Sequence, residues 1–173
     1  VVKNPSYYIR QANDLLLRAN NLKYKCLAAG QTEFYYKAAL KAYDKAIALD
    51  PDYAYMAYYN KACALLKTKN NKVHKEEAKQ LLQKALDILM CCFIPQLDSF
   101  ILALTQGEAF KGQDFTATLA QYHAKREQLT LVMHSISTAL RVIERSEKLI
   151  DLSCTEPSAK IVRQGLKQKP AIK

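Results

Sequence analysis

The residues best suited to chemistry are few and scattered. His74, His123 and His134 stand apart, and none has a cysteine or carboxylate at a spacing that would complete a metal site. His123 and Glu127 lie four residues apart, which on a helix is typical of a surface contact. The chain has no glycine-rich phosphate loop and no GxSxG or HExxH motif. We therefore predict no catalytic activity, no metal ion and no cofactor.

The cysteines form an odd set of five, and four of them lie among apolar helical positions. They are Cys26, Cys63, Cys91, Cys92 and Cys154. This pattern predicts reduced, buried thiols in an intracellular protein and not a disulfide framework. Adjacent cysteines in a helix point to different faces, so we interpret the Cys-Cys pair as structural, with a redox or acylation site as the alternative.

Tyrosine is the most abundant aromatic residue of the chain, and aromatic side chains often contribute to partner binding. The chain has 11 tyrosines and no tryptophan. Four of them, Tyr53, Tyr55, Tyr58 and Tyr59, fall within one predicted helix and its entry. Four side chains so close together cannot all face a core, so we expect at least one to reach a groove or the solvent. Packing between neighbouring helices is the alternative role.

The formal net charge of +10 would suit nucleic acid, an anionic membrane surface or an acidic peptide. Much of the basic excess lies toward the two ends of the chain, and a dispersed excess is weaker evidence for nucleic acid than a basic stripe. No apolar run approaches the roughly 18 residues of a membrane span, so we expect a soluble, cytoplasmic protein. Because the chain opens on Val1 without an initiator methionine, we also expect it to be a domain of a larger protein.

Apolar residues recur at three- and four-residue steps through most of the chain, which predicts an all-α protein. Gly30, Pro51, Pro95 and Asp114 mark the main boundaries. The predicted helices are 6–28, 33–49, 53–67, 75–90, 95–106 and 114–152. The far half of the last helix must cap the preceding helices, fold back along them or pair with another chain. Residues 154–173 are expected to form a basic, mobile tail.

A shift of 39 residues aligns the second predicted helix with the fourth, pairing Ala39 with Ala78 and Ala46 with Ala85. A further shift puts Ala117 under Ala78, so two copies are clear and a third is faint. The alanines predict close packing, because a small residue at a crossing lets two helices approach to roughly 8–10 Å. One helix pair cannot bury its own apolar face, so neighbouring pairs stack into a solenoid.

One spacing in the first copy is specific: Ala39-x3-Tyr43-x2-Ala46-x2-Leu49-x-Pro51. Together with the run at residues 57–66, it resembles the tetratricopeptide repeat (TPR) family. The resemblance covers residues 6–90 well and 93–127 weakly. The chain departs from the family at Lys61, where an apolar residue is usual, at Met90, which replaces a closing proline, and in its period of 39 instead of about 34.

The resemblance implies a short right-handed superhelical solenoid of antiparallel helix pairs, spanning residues 1–127. Its pairs would be 6–49, 53–90 and 95–127. Residues 128–153 would then be an extension of the long helix or a capping helix.

In the TPR family the first helix of each pair lines a concave groove, so the resemblance implies a non-catalytic scaffold that binds a partner peptide or helix there. The implied groove residues are Arg18, Asn21, Lys25, Tyr55, Tyr59, Asn60, Cys63 and Lys67, and the 39-residue shift pairs Asn21 with Asn60. A basic groove with tyrosines favours an acidic or aromatic-bearing segment. Two alternatives are RNA binding by the basic surface and homodimer formation through the long last helix.

Overall fold

The computed structural model describes residues 4–24, 29–68, 71–106 and 114–155, and every regular element within these ranges is a helix. The all-α fold class predicted from apolar periodicity is therefore confirmed. The elements are α1 (Pro5–Tyr24), α2 (Ala29–Leu49), α3 (Tyr55–Lys67), α4 (Asn71–Ile88), a π turn (Leu89–Phe93), α5 (Ile94–Gln106) and α6 (Thr116–Thr155).

The start of α1 follows the sequence closely, whereas the boundary between α1 and α2 does not. Asn4 Oδ1 accepts the backbone N–H of Tyr7 at 2.9 Å, and Pro5 takes the first helical position, where its missing N–H costs nothing. The predicted break at Gly30 is wrong, because α2 already begins at Ala29. Gly30 is the second residue of α2, and the entropic cost of glycine is smaller at a helix end than in the interior.

Pro51 ends α2 at Leu49, as the sequence predicts, because the residue before a proline disfavours helical geometry. The connection to α3 is a tight turn in which the Ala54 N–H donates to the Asp50 carbonyl at 3.0 Å. The Tyr58 hydroxyl also donates to the Pro51 carbonyl, at 3.2 Å. This junction therefore fixes the direction in which α3 leaves α2.

Where the sequence predicts two helices, α4, the π turn and α5 form one continuous helical rod. Pro95 is the second residue of α5 and not the start of a new helix. A proline inside a helix crowds the carbonyl four residues earlier, which here belongs to Cys91. In the π turn the Ile94 N–H bonds the Leu89 carbonyl, five residues back. This wider turn loosens the helix just before the proline and lets the rod continue.

The apolar content of this rod also exceeds the sequence expectation. The helix Val73–Gln106 contains an 18-residue window that meets the length and composition of a membrane span, and only 11% of that window is buried. From the sequence alone, we predict no apolar run near the length of a membrane span. The polar residues Asp98 and Ser99 interrupt the run without lowering its average enough to exclude it.

The helix α6 is 40 residues long, or about 60 Å at 1.5 Å per residue, and packs antiparallel to the rod. Two contacts fix this direction: Arg126 Nε donates to Asp98 Oδ1 at 2.6 Å, and Lys75 Nζ donates to Ser146 Oγ at 2.8 Å. The far half of α6 is thus folded back along α4. In the predicted third pair, 95–127, the two helices do contact each other, but α5 continues α4 without reversing direction.

Two buried clusters make the core. The first joins α1, α2 and α3 and consists of alanines around Tyr43, its one large, fully buried side chain. The second joins α3, α4, the π turn and α6, and its large residues are Leu65, Leu82, Leu89, Leu129, Ile136, Leu140 and Ile143. Close approach of helix backbones therefore stabilises the first cluster, and interlocking of branched side chains stabilises the second.

Lys61 bridges three helices. From α3, its Nζ lies 2.9 Å from Asp44 Oδ1 on α2 and 2.9 Å from Glu77 Oε1 on α4, and only 14% of its side chain is exposed. Burial alone would lower the pKa of Lys61, but hydrogen bonds and charges from the two carboxylates outweigh burial and raise it. An ion pair to each neighbouring helix thus replaces the apolar contact expected at this position.

Replacing Ala46 by leucine tests the close approach of α1 and α2. Ala46 is fully buried in the first cluster, and we expect Ala46→Leu to lower the free energy of unfolding by about 1–3 kcal/mol through overpacking. Ala48→Leu, on the exposed side of the same helix, should change it by less than about 0.5 kcal/mol. Urea unfolding followed by circular dichroism measures both. Equal effects would show that the crossing does not require a small residue.

A second pair of variants tests the Lys61 bridge. Lys61→Ala leaves two carboxylates close together without their shared cation, and we expect a loss of about 1–2 kcal/mol in unfolding free energy. Lys37→Ala removes an exposed pair with Glu33 within one helix, and should cost less than about 0.5 kcal/mol. If the two variants unfold at the same urea concentration, the bridge contributes no more than an ordinary surface pair.

Candidate binding surface

One side of α3 carries four of the predicted groove residues. They recur at helical steps and are Tyr59, Asn60, Cys63 and Lys67. The buried residues of α3 lie on its other sides and are Ala57, Ala62, Ala64 and Leu65. Tyr59, Asn60 and Cys63 are half-buried and Lys67 is exposed. The alanines let α3 sit close to α1 and α2, and this leaves the four side chains as a row along the surface.

Asn13, on α1, connects this row to the first helix. Its Oδ1 accepts a hydrogen bond from the Tyr43 hydroxyl of α2 at 2.6 Å and another from Asn60 Nδ2 of α3 at 3.2 Å. One oxygen atom therefore joins three helices at the edge of the core. Among the described residues, the Asn13 amide N–H groups and Asn60 Oδ1 have no further hydrogen-bond partner, so both amides can still bind a ligand.

Tyr59 and Cys63 lie one helical turn apart, and each side chain influences the pKa of the other. Burial raises the pKa of the Tyr59 phenol, and the neighbouring thiol raises it further. Burial also raises the pKa of Cys63, although Tyr59 and the charge of Lys67 act in the opposite direction. The thiol is thus protonated at neutral pH and suits contact with a partner better than nucleophilic chemistry.

Tyr55 lies apart from this row, although the sequence grouped it with the others. Its ring meets Phe93 of the π turn edge-on, with centroids 4.9 Å apart, and Tyr53 meets the same ring at 6.1 Å. Burial raises the pKa of Tyr55. Of the four clustered tyrosines, Tyr53 is the most exposed, with 49% of its surface accessible, and Tyr59 is half-buried in the row on α3. The expectation that at least one would reach a groove or the solvent is therefore met.

Arg18 and Asn21 are exposed on the second half of α1, and Lys25 lies outside the described residues. The 39-residue shift makes Asn21 and Asn60 equivalent positions of two repeats, and the hydrogen-bond partner of Asn60 in the structure is Asn13.

The first and third helices follow a different shift from the second and fourth. Ala12 and Ala19 are buried in α1, as are Ala57 and Ala64 in α3, and each pair is seven residues apart. A shift of 45 residues aligns these alanines and pairs Asn60 with Leu15 instead of Asn21.

The described residues contain no group of three or more His, Cys, Asp or Glu side chains able to hold a metal ion. His74 Nδ1 lies 3.8 Å from Glu77 Oε2, and that carboxylate also pairs with Lys61. The surface formed by Asn13, Tyr59, Asn60, Cys63 and Lys67, called the α1–α3 face below, therefore offers amides, a phenol, a thiol and a cation. These groups are suited to hydrogen bonding and to contact with an anion.

No family model, no curated protein and no solved structure matches this chain. The resemblance to the TPR family therefore rests on the residues quoted above.

Alkaline pH should destabilise the fold. Burial raises the pKa of Tyr36, Tyr43, Tyr55, Tyr58 and Tyr59. In the unfolded chain these phenols ionise near pH 10, while the folded chain keeps them neutral. The stabilisation from these neutral phenols is fully present below about pH 10, their pKa in the unfolded chain. It is lost as the pH rises toward their higher pKa values in the folded chain. We expect the urea midpoint to fall progressively as the pH rises above about 10.

The same titration of Tyr43→Phe provides the control. Because Tyr43 is the most deeply buried of these phenols, the variant should start from a lower stability, having lost its bond to Asn13, and then decline less steeply. A midpoint that stays constant to about pH 11 in the unmodified chain would contradict the assignment of buried neutral phenols.

Proposed function

We propose that the chain is a protein-interaction scaffold whose α1–α3 face binds an extended segment or a helix of a partner protein. The observation that carries this proposal is the shared acceptor at Asn13. It holds the Asn60 amide at a defined place on the surface, with bonding capacity to spare on both asparagines.

The chemistry of the α1–α3 face favours an acidic or aromatic-bearing peptide. An asparagine side chain offers a donor and an acceptor, which matches the N–H and C=O groups of an extended backbone. Lys67 is exposed and supplies a positive charge two turns beyond Asn60. Leu17 and Met56, one turn away on α1 and α3, are 60% and 46% exposed and can receive an apolar side chain.

We further propose that α1–α2 and α3–α4 are two TPR-like pairs at the start of a short right-handed solenoid. Supporting this, each of these pairs packs together, α2 packs on α3, and α1 touches α3. Under this proposal the α1–α3 face is the concave side, and the α4–α5 rod and α6 close the far end of the array.

The other interpretations have less support. RNA binding rests on the net charge alone, and a cytoplasmic location rests on composition. Self-association through α6 would have to use a face other than the one formed by Leu129, Ile136, Leu140 and Ile143, which the chain already buries. Absence of catalysis remains a prediction from the lack of motifs.

A peptide selection tests the proposal. Acidic peptides of about a dozen residues containing tyrosine or phenylalanine would be displayed, selected on the intact chain and measured by fluorescence anisotropy. We expect micromolar binders whose affinity falls at least about tenfold in Asn60→Ala/Lys67→Glu. Lys41→Glu, an equal charge change on the exposed surface of α2, should bind like the unmodified chain.

Chemical-shift mapping then locates the peptide. Shifts of the Asn13, Tyr59 and Asn60 resonances on peptide addition are the expected result. If no binder is selected, or if the shifts are confined to other helices, the α1–α3 face is not the binding site. If the Asn60/Lys67 and Lys41 variants weaken peptide binding equally, the effect comes from the net charge of the chain and not from contacts at the α1–α3 face.

A further inference from the structure

The hydrogen bond between Tyr43 and Asn13 is repeated two turns further along α1. There the Tyr36 hydroxyl donates to Asn20 Oδ1 at 2.7 Å, as the Tyr43 hydroxyl donates to Asn13 Oδ1 at 2.6 Å. Both phenols are buried between α1 and α2, with 7% and 0% of their surfaces exposed. Residues seven apart share one side of a helix. The two asparagines therefore lie on the same side of α1, and each is held by a buried phenol.

These phenols fix the direction of the two amides. The oxygen and the nitrogen of a carboxamide lie on opposite branches, so an amide whose oxygen is held by a phenol directs its N–H groups away from that phenol. Asn13 is exposed and Asn20 is half-buried. Among the described residues, the N–H groups of neither amide have a hydrogen-bond partner. The side of α1 next to the α1–α3 face thus presents two oriented donors about 10.5 Å apart.

The helix α3 repeats its polar positions with the same period. Both α1 and α3 run antiparallel to α2, so they run parallel to each other. Lys67 follows Asn60 by seven residues, as Asn20 follows Asn13. The Lys67 side chain is exposed, and in the part of the chain that the structure describes no carboxylate pairs with it. The two neighbouring helices therefore offer hydrogen-bond donors at matching intervals of about 10.5 Å.

This interval fits an α-helical ligand better than an extended one. In an extended strand, groups on one side repeat about every 6.6–6.8 Å, and neither this distance nor twice its value matches 10.5 Å. A polyproline II segment repeats after three residues, at about 9.3 Å. In an α-helix, side chains seven residues apart lie on one side and about 10.5 Å apart. A partner helix can therefore place one acceptor on each donor without distortion.

Resting on the proposed function, we propose that the segment bound at the α1–α3 face is an α-helix with carboxylate or amide oxygens at two positions seven residues apart. Leu17 and Met56, which are 60% and 46% exposed, contact an apolar side chain placed between the two acceptors. The charge of Lys67 favours aspartate or glutamate as an acceptor. Three turns separate Met56 from Lys67, so the partner helix needs about a dozen residues.

Three peptides of about 20 residues, measured on the intact chain by fluorescence anisotropy, test this. The first is alanine-rich and helical, with two glutamates seven residues apart and a leucine between them. The second has the same composition, with its glutamates five residues apart and thus on different sides. The third is the first peptide with two interior alanines replaced by proline, which breaks the helix. We expect the first to bind at least about tenfold more tightly than either of the others.

Two neighbouring asparagines provide matched variants. Asn20→Ala removes one oriented donor and should weaken binding of the first peptide about fivefold. Asn21→Ala changes the same residue type one position later, on a different and exposed side of α1, and should bind like the unmodified chain.

Asn20→Asp keeps the test decisive if Asn20→Ala fails to fold, because a carboxylate still accepts the Tyr36 hydroxyl. This variant should bind the first peptide at least about tenfold more weakly. Replacing one of the two peptide glutamates by lysine, tried at each position in turn, should restore binding to Asn20→Asp at one position and not at the other.

The outcomes separate this inference from the function on which it rests. If the proline peptide or the five-residue spacing binds as tightly as the first peptide, or if Asn20→Ala and Asn21→Ala weaken binding equally, the helical ligand is wrong and the α1–α3 face can still be a peptide site. If no peptide binds, both proposals fail. Self-association of the unmodified chain that Asn20→Ala abolishes, without peptide binding, would assign the face to a second copy and also overturn the inference.

Discussion

The close approach of helix backbones at alanine is the constraint on which the rest of the structure depends. Alanine supplies 11 of the 21 buried apolar residues in the described chain. Because alanine contributes little apolar area of its own, α1, α2 and α3 gain their stability from proximity, and any larger side chain at a crossing would separate them. This proximity also brings Asn13 within hydrogen-bond distance of Asn60 and Lys61 within reach of both neighbouring helices.

The two core clusters solve the same packing problem with different chemistry. Tyr43 and Leu82 occupy matching places in the two copies, 39 residues apart, and both are fully buried. A buried phenol needs a hydrogen-bond partner, which Asn13 provides at 2.6 Å, whereas a buried leucine needs none. The first cluster is therefore tied to polar residues at the surface, and the second is closed by apolar residues of α6. The candidate site lies beside the cluster with the polar connection.

Much of this was predictable where local signals were strong. Pro51 set the end of α2 and the start of α3, and the apolar spacing after Asp114 predicted one long helix. The predictions at Gly30 and Pro95 are wrong for different reasons. Glycine is tolerated near the start of a helix, and the π turn before Pro95 lets the rod continue, which single-residue preferences do not report. Within the candidate site, the residues on α3 were implied by the resemblance to the TPR family. Asn13 was missed because the two helix pairs differ in the length of their first helix, so no single shift aligns both members of a pair.

The π turn has a consequence for the angular relationship between the two halves of the rod. One residue more than a regular α-helical turn advances every later side chain by about 100° around the axis. Residues 89–93 therefore change the angular position of the side chains between α4, which packs on α3 and α6, and α5, which packs mainly on α6. Asp98 follows this turn and lies on the side of α5 that meets Arg126, at 2.6 Å. A single inserted position thus sets which side of α5 meets its partner helix and which side is left outward.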